Sequence, residues 1–178
     1  MTKLETLTSY VKEIPDFPKP GILFRDVTGI LDHADGLRIA VDLMVDALQG
    51  VDFDVIAGPE SRGFVFGAAL ADRMSKPIAL IRKPGKLPRK TVSETYNLEY
   101  GTATLHMHTD AIKPGQKVII IDDLLATGGT AAAAAKLIEK LGGKVAKMVF
   151  PIELCGFDAP NKALKGYDVI SLIKYPGK

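Results

Sequence analysis

The chain has 178 residues, of which 47% are hydrophobic and 25% are charged, and its formal net charge is +2. This composition is typical of a single globular domain with a buried core, and the near-neutral charge gives no reason to expect nucleic-acid or membrane partners. The single cysteine, Cys155, excludes an internal disulfide framework and favours a reducing compartment. The N-terminal residues contain no long apolar run of the kind found in signal peptides or membrane spans. We therefore expect a cytoplasmic protein.

The first part of the chain predicts two helices separated by a proline-rich segment. Apolar residues recur at helical spacing over residues 3–14, which predicts a short amphipathic helix. The following PDFPKPG contains too much proline for a helix or a central strand. Asp35 is placed to cap a second helix that runs to about Gln49.

From residue 53 onward, strand and helix patterns alternate. Strands are predicted over residues 53–58, 77–82, 102–108, 117–122, 144–154 and 167–173, and helices over residues 63–74 and 131–143. Residues 83–97 are polar and basic without an apolar period, which predicts a loop ordered largely by the ligand that it covers. Continuous apolar strands that alternate with helices indicate an α/β fold, with a central, mainly parallel sheet flanked by helices.

The strongest motif is VIIIDDLLATGGT, residues 118–130, in which an apolar strand runs directly into two carboxylates. In parallel sheets, ligands bind outside the carboxyl ends of the strands. The glycines that follow leave backbone N–H groups accessible at the start of a helix, which makes a phosphate site. The carboxylates would repel that phosphate, but they suit the hydroxyls of an attached sugar or a metal ion. A ribose 5-phosphate satisfies both halves of the motif.

Other interpretations of this motif have less support. The ATGGT loop alone also fits a tight turn with Thr130 as the helix cap, and an acidic pair also occurs as a solvent-facing strand end. A signalling receiver domain carries acidic residues for Mg²⁺ after its first strand. Here at least two strands precede the pair, and only 55 residues follow it. The three histidines and Cys155 show no metal or nucleophile spacing, so we interpret them as structural.

The motif resembles the phosphoribosyl pyrophosphate (PRPP) signature of the type I phosphoribosyltransferases. Four further segments resemble the adenine phosphoribosyltransferases within that family: DFPKPGILFRDVT (16–28), GPESRGFVFG (58–67), LIRKPGKLP (80–88) and YNLEYG (96–101). The resemblance extends from about Ile14 to Tyr175. It implies one phosphoribosyltransferase domain over residues 1–178, with a small N-terminal hood over about residues 1–34 and a core over about residues 35–178.

The resemblance also implies a reaction, in which ribose 5-phosphate passes from PRPP to N9 of adenine to give AMP and pyrophosphate, with Mg²⁺ held mainly through PRPP. The implied ribose and phosphate contacts are Asp122, Asp123, Ala126, Thr127, Gly128, Gly129 and Thr130. The implied pyrophosphate contacts are Arg62, Arg82, Lys83, Lys86 and Tyr100. The implied adenine contacts are Leu23, Phe24 and Arg25. Glu99 is the implied general acid, and the family often has a cis peptide bond at the position of Glu60–Ser61.

Each of these segments also has an interpretation without function. A run of basic residues over 82–90 suits a departing pyrophosphate, but it also occurs in solvated loops or nucleic-acid patches. GILFRD alone would be taken for a short buried strand, ESRG for a polar turn and Glu99 for a surface strand residue.

We therefore expect a purine-salvage enzyme that acts as a homodimer, with residues 63–74 as a plausible interface helix. Its partners would be adenine, PRPP, AMP and pyrophosphate, without nucleic acid or membrane. Two alternatives stay open at this point. One is a regulator that binds PRPP without catalysis, and the other is a phosphoribosyltransferase for another base such as guanine, xanthine or orotate.

Overall fold

The structure is a computed structural model that describes residues 1–98 and 101–177. Within these ranges the helices are α1 (Lys3–Tyr10), α2 (Gly36–Ala47), α3 (Arg62–Met74) and α4 (Gly129–Lys140). The strands are β1 (Lys12–Pro15), β2 (Leu23–Asp26), β3 (Val55–Pro59), β4 (Ile78–Ile81), β5 (Thr91–Asn97), β6 (Thr102–His108), β7 (Lys117–Ile121), β8 (Leu124–Leu125), β9 (Lys144–Leu154) and β10 (Val169–Tyr175). No helix in these two ranges is long and apolar enough to cross a membrane.

A parallel sheet forms the centre of the molecule. Its strand order is β10-β9-β7-β3-β4, the short β8 pairs with β9, and every pairing in it is parallel. The strand β7 lies in the middle, and its alternate residues enter two different cores: Val118 and Ile120 face one side, while Ile119 and Ile121 face the other. Because both faces are covered, the strand is apolar throughout, and the predicted α/β class with a mainly parallel sheet is confirmed.

The two faces of the sheet are covered by different kinds of element. On one face, α1, α2 and α3 contribute side chains such as Leu7, Met44 and Phe66 to the core. On the other face, α4 packs beside an antiparallel hairpin of β5 and β6, which contributes Leu105 and Met107. The strands β1 and β2 pair with each other and form a two-stranded N-terminal ribbon. A six-residue 3-10 helix, Val27–Asp32, joins this ribbon to the helical face.

The predicted helix over residues 3–14 is wrong beyond Tyr10. The capping box of Thr2 and Glu5 starts α1 as the pattern suggests, but residues 12–15 form β1, which pairs antiparallel with β2. A residue that precedes a proline is biased away from helical backbone angles, so Pro15 favours this early end. Ile14 then lies opposite Phe24 instead of on a helix face.

The predicted loop over residues 83–97 is also wrong in its second half. Residues 91–97 form β5, and Val92 and Tyr96 on this strand pack against the core. Glu94 lies on the same side between them, and Lys136 and Lys140 of α4 neutralise it. A charged residue therefore interrupts the apolar alternation, which is why the sequence pattern hid the strand.

Two predicted helix ends have mixed outcomes. Asp35 does precede α2, but its side chain makes no capping bond and instead accepts a hydrogen bond from the Tyr10 hydroxyl at 3.0 Å. At the end of α4, Gly142 has a φ of +83°, the left-handed conformation that glycine adopts without strain. The predicted glycine at the end of this helix is therefore confirmed.

Candidate functional site

Three neighbouring cavities lie at the carboxyl ends of the central strands. The parallel sheet places β3 beside β7, so the residues that follow each of them meet at the same edge. The sequence after β3 supplies Glu60, Ser61 and Arg62, and the sequence after β7 supplies Asp122 and Asp123. Polar side chains from distant parts of the chain are thereby gathered around one cleft.

The loop between β8 and α4 encloses the smallest cavity, which has a volume of about 100 Å³. All five predicted loop residues line it, together with Asp122: they are Ala126, Thr127, Gly128, Gly129 and Thr130. Gly128 has a φ of +83°, and α4 begins at the next residue. The first N–H groups of a helix have no acceptor within the helix, so this cavity is suited to bind a phosphate.

A larger cleft of about 380 Å³ adjoins this cavity and shares Asp122 and Thr130 with it. Its lining is strongly polar and contains both charge signs: Glu60, Ser61, Arg62, Lys83, Tyr96, Leu105, Asp122, Asp123 and Thr130. Basic groups that face carboxylates across a cleft can bind a ligand that carries both hydroxyl and phosphate groups.

The acidic pair occupies the floor of this cleft. Asp123 is only 4% exposed, and its Oδ2 lies 2.5 Å from Nε of Arg62. The contact is an ion pair without aligned hydrogen-bond geometry, since Oδ2 has no hydrogen-bond partner of its own. Arg62 therefore neutralises the buried charge of Asp123 and leaves its guanidinium at the entrance of the cleft.

Asp122 is held differently from its neighbour. The N–H of Asp123 donates to Oδ1 of Asp122 at 2.9 Å. Burial, followed by the nearby charge of Asp123, raises the pKa of Asp122 well above its usual range. A carboxyl that holds its proton more firmly becomes available both to donate and to accept hydrogen bonds toward a sugar hydroxyl.

The basic residues after β4 separate into two groups. Lys83 lines the cleft, whereas Arg82 and Lys86 line a different cavity that runs beside β4. Glu60 anchors the start of this segment, because its Oε1 accepts from the backbone N–H of Lys83 at 2.6 Å and from Nε of Arg82 at 3.3 Å. These contacts lower the pKa of Glu60, the Lys83 N–H contributing most.

A third cavity of about 370 Å³ lies under the N-terminal ribbon and is lined by Ile14, Phe17, Phe24, Asp26 and Arg62. Alternation along β2 directs Phe24 and Asp26 into it, whereas the side chains of Leu23 and Arg25 do not line it. The guanidinium of Arg25 pairs with Glu13 and lies 4.2 Å from the ring centre of Tyr175. Only Phe24, among the three predicted base contacts, therefore presents its side chain to this space.

The three cavities adjoin one another, because neighbouring cavities share lining residues. Asp122 and Thr130 link the loop cavity to the central cleft, and Arg62 links the cleft to the cavity under the ribbon. The series runs from a phosphate site through an acidic and basic cleft to an aromatic pocket. An extended ligand with a phosphate at one end and a flat ring at the other matches this order.

Some expectations fall on residues that the structure leaves undescribed, and other site residues were not predicted. Glu99 and Tyr100 lie outside the described residues, so their roles stay predictions. The Glu60–Ser61 peptide bond, which the sequence left open, is cis. The sequence analysis missed Tyr96 and Asp26, which line the cleft and the ribbon cavity respectively. Tyr96 lay in the segment taken for a loop, and only strand alternation over 92–96 would have revealed it.

The described part of the chain contains no cluster of three or more His, Cys, Asp or Glu side chains that would hold a metal ion. His106 contacts the hydroxyl of Thr91 through Nδ1 at 3.1 Å, and His108 is buried at the end of β6. Both lie on the hairpin and outside the three cavities.

Comparison with known proteins finds the same family along nearly the whole chain. The family profile of the phosphoribosyl transferase domain matches residues 26–171. An adenine phosphoribosyltransferase from Agathobacter rectalis is 57% identical over 98% of this chain and 100% of its own length.

Solved structures agree with this assignment. The crystal structure of adenine phosphoribosyltransferase from Thermoanaerobacter pseudethanolicus superimposes with a TM-score of 0.93 at 52% identity, over 97% of this chain and 99% of that one. The Saccharomyces cerevisiae enzyme, in complex with an imino-altritol bisphosphate and adenine, gives a TM-score of 0.89 at 35% identity, over 96% of this chain and 98% of that one.

Proposed function

The chain belongs to the adenine phosphoribosyltransferase family, and on that premise we propose how its three cavities perform the reaction. The enzyme transfers ribose 5-phosphate from PRPP to N9 of adenine and releases AMP and pyrophosphate, a reaction of purine salvage. The observation that carries the proposal is the order of the three adjoining cavities, which matches the order of phosphate, sugar with pyrophosphate, and base.

In this assignment the loop cavity binds the 5-phosphate. Backbone N–H groups at the start of α4 and the hydroxyls of Thr127 and Thr130 supply the donors. Asp122, which lies at the border of the loop cavity and the cleft, and Asp123, in the cleft, would face the ribose hydroxyls. The ribose is thereby fixed at both ends, which holds its anomeric carbon in the cleft.

The chemical step breaks the bond between the anomeric carbon and the pyrophosphate oxygen, and the bonding electron pair leaves with pyrophosphate. The bond to N9 of adenine forms in its place. Arg62 and Lys83 border the cleft and would stabilise the negative charge of the leaving group. Phe24 would pack against the adenine ring in the third cavity. Glu99 is proposed as the general acid at N7, on the strength of the sequence resemblance alone. It would donate a proton to N7 when the bond to N9 breaks in the reverse reaction from AMP, and as a carboxylate it would take the N7 proton back when N9 attacks in the forward reaction.

The donor set at the cleft fits a magnesium ion that is bound mainly through the substrate. Mg²⁺ commonly binds one or two carboxylates together with substrate phosphates and waters. Asp122 and Asp123 are the carboxylates nearest the proposed ribose position, and Asp123 is already paired with Arg62. The ion would supply charge neutralisation on the pyrophosphate oxygens, and the described side chains alone do not form a complete cage for it.

We also propose that the enzyme works in the cytoplasm and as a homodimer, with α3 as a contact helix. Val65 on this helix is 38% exposed, as expected for a side chain available to a partner subunit. Sedimentation of the purified enzyme at several concentrations tests the dimer, and a monomer at all concentrations would contradict it.

The function is tested with a panel of bases, namely adenine, hypoxanthine, guanine, xanthine and orotate, each incubated with PRPP and Mg²⁺. We expect pyrophosphate release with adenine and formation of AMP, and a large loss of activity when Mg²⁺ is chelated. Release with another base in preference to adenine would overturn the substrate. Binding of PRPP without release with any base would instead support a regulator.

A further inference from the structure

Tyr96 makes a contact in the site that none of the assigned roles explains. Its hydroxyl lies 3.0 Å from Oγ1 of Thr130, the last residue of the phosphate loop and the second residue of α4. Its ring lies over the preceding residue, with Cδ2 at 3.2 Å from the position that a Cβ on Gly129 would occupy. Tyr96 also lines the central cleft together with Thr130. A single side chain therefore contacts both the loop and the cleft.

The strand that carries Tyr96 is fixed to the helix that carries Thr130. Nζ of Lys140 lies 2.6 Å from both the Glu94 carboxylate and the backbone carbonyl of Ser93. These contacts hold the first half of β5 against the C-terminal end of α4. The Tyr96 hydroxyl is thereby presented at the N-terminal end of the same helix, so little conformational entropy remains to be lost in its contact with Thr130.

The hydrogen-bonding capacity of Thr130 determines the direction of this contact. A threonine hydroxyl has one proton to donate and two lone pairs with which to accept. A phosphate dianion can only accept, so Thr130 can hydrogen-bond to a phosphate in the loop only by donating its proton. The 3.0 Å contact then requires Tyr96 to be the donor and Thr130 the acceptor.

We propose that Tyr96 is a positioning residue for the phosphate site: its hydroxyl donates to Oγ1 of Thr130 and so directs the Thr130 proton to the bound 5-phosphate. The inference rests on the proposed function of this loop. Hydrogen bonds in a chain polarise one another, so the donor from Tyr96 strengthens the donor from Thr130. The tyrosine acts through Thr130 and does not itself contact the phosphate.

The test compares Tyr96→Phe with the parent enzyme in binding of ribose 5-phosphate, measured by calorimetry, and in steady-state kinetics. The phenylalanine keeps the ring over Gly129 and removes only the hydroxyl. Because one net hydrogen bond is lost, we expect the dissociation constant of ribose 5-phosphate and the KM for PRPP to rise by about 3- to 10-fold. We expect kcat at saturating PRPP and inhibition by free pyrophosphate to stay within about twofold, since the reacting atoms are untouched.

A double-substitution cycle separates action through Thr130 from direct action. In a Thr130→Val background, Tyr96→Phe should add no further loss, because the acceptor is already absent. In a Thr130→Ser background, which keeps the hydroxyl, the full effect should persist. An equal loss in the valine and serine backgrounds would overturn the proposal, as would weaker pyrophosphate inhibition in Tyr96→Phe, since both results mean that Tyr96 contacts the ligand itself.

Tyr167→Phe is the matched control. The Tyr167 hydroxyl donates to Glu139 on the same helix at 2.8 Å, but at the end away from the phosphate loop. It should leave the affinity for ribose 5-phosphate unchanged, and an equal change in both phenylalanine variants would show a general effect of loosening α4 and overturn the proposal. If the parent enzyme forms no AMP, the proposed function is contradicted. If the parent is active and Tyr96→Phe has the same affinity for ribose 5-phosphate and the same KM for PRPP, only the role of Tyr96 is contradicted.

Discussion

The phosphate loop and the N-terminal ribbon border the same site but are built in different ways. All five residues of the loop, 126–130, line one cavity, because a strand-to-helix turn presents consecutive backbone groups to the same point. In the ribbon, the alternation of β2 presents only every second side chain, so Phe24 and Asp26 face the cavity beneath it while Leu23 and Arg25 do not. Where backbone groups form a site, most substitutions in that segment disturb the site. Where alternate side chains form it, the residues between them can change with little effect on the site.

This difference predicts how each region responds to substitution. Changes in the loop should be severe and should affect the use of PRPP. Changes in the ribbon should be milder and should affect adenine alone. The experiments below test that contrast, from the largest expected effect to the smallest.

Gly128→Val should have the largest effect. Gly128 has a φ of +83°, and a Cβ there would lie 3.1 Å from the methyl carbons of Ala159 and Ala163. The loop must shift to accept valine, and loss of even one or two charge-assisted bonds to the phosphate lowers kcat/KM for PRPP by about 100-fold or more. Gly115→Val is the control, since Gly115 has a φ of +84° with nothing within 4 Å of its Cβ position. An equal loss of activity in both variants would mean that valine acts through strain at a positive φ and not through the phosphate site.

Glu99→Leu should reduce kcat by at least about 100-fold, the low end for general acid–base catalysis, with little change in the affinity for PRPP. This prediction comes from the position of Glu99 in YNLEYG, since the residue lies outside the described part of the chain. Glu94→Gln is a suitable comparison for kcat, because Glu94 precedes Glu99 in the sequence by five positions and its carboxylate pairs with Lys136 and Lys140. A leucine variant with nearly normal turnover would remove Glu99 from the mechanism.

Arg62→Ala should raise the KM for PRPP by about 10- to 100-fold, because the guanidinium that is proposed to bind the pyrophosphate is lost. The variant should also be inhibited less by pyrophosphate, and the reverse reaction from AMP should slow. Arg89→Ala provides the control, since Arg89 pairs with the exposed Asp110 outside the cleft. If pyrophosphate inhibition is unchanged in Arg62→Ala, the arginine does not bind pyrophosphate, and its role is limited to the ion pair with Asp123.

Phe24→Ala tests the ribbon. Loss of the proposed aromatic contact with the base should raise the KM for adenine by about 3- to 10-fold and leave the KM for PRPP unchanged. Ile22→Ala is the control, because Ile22 is 41% exposed and does not line the cavity. A rise in the KM for PRPP of the same size would mean that the ribbon and the loop are not separate in function.

The same contrast explains how much the sequence reveals. The acidic pair, the loop and the parallel sheet follow from local patterns, because consecutive residues carry the signal. The ribbon and β5 do not, since each ribbon strand is only four residues long and Glu94 interrupts the apolar alternation of β5. Gly63 shows the limit most clearly: a Cβ there would lie 2.8 Å from Oδ1 of Asp122, a contact between residues 59 positions apart that no local pattern indicates.

The smallest expected effect is on stability and concerns Asp122. Burial and the charge of Asp123 raise its pKa well above 3.8, so between these two pKa values the folded state holds a proton that the unfolded chain has released. The free energy of unfolding therefore falls as pH rises from about 4 through the raised pKa, and this contribution is fully restored only below the unfolded value. Asparagine has no charge to bury and can still accept the Asp123 N–H through its side-chain oxygen.

Asp122→Asn should thus raise the melting temperature of the ligand-free enzyme near pH 8 by roughly 2–4 °C, equivalent to about 1 kcal/mol, while its use of PRPP declines. The gain should shrink as pH falls and vanish below the usual range of an aspartate, where the parent carboxyl is protonated in both states. Asp46→Asn on the exposed side of α2 should produce no such pH-dependent gain. A melting temperature that falls for Asp122→Asn at every pH would contradict this prediction. It would mean that the ionised carboxylate stabilises the ligand-free site, so that keeping the acidic pair for its ligand does not reduce the stability of the fold.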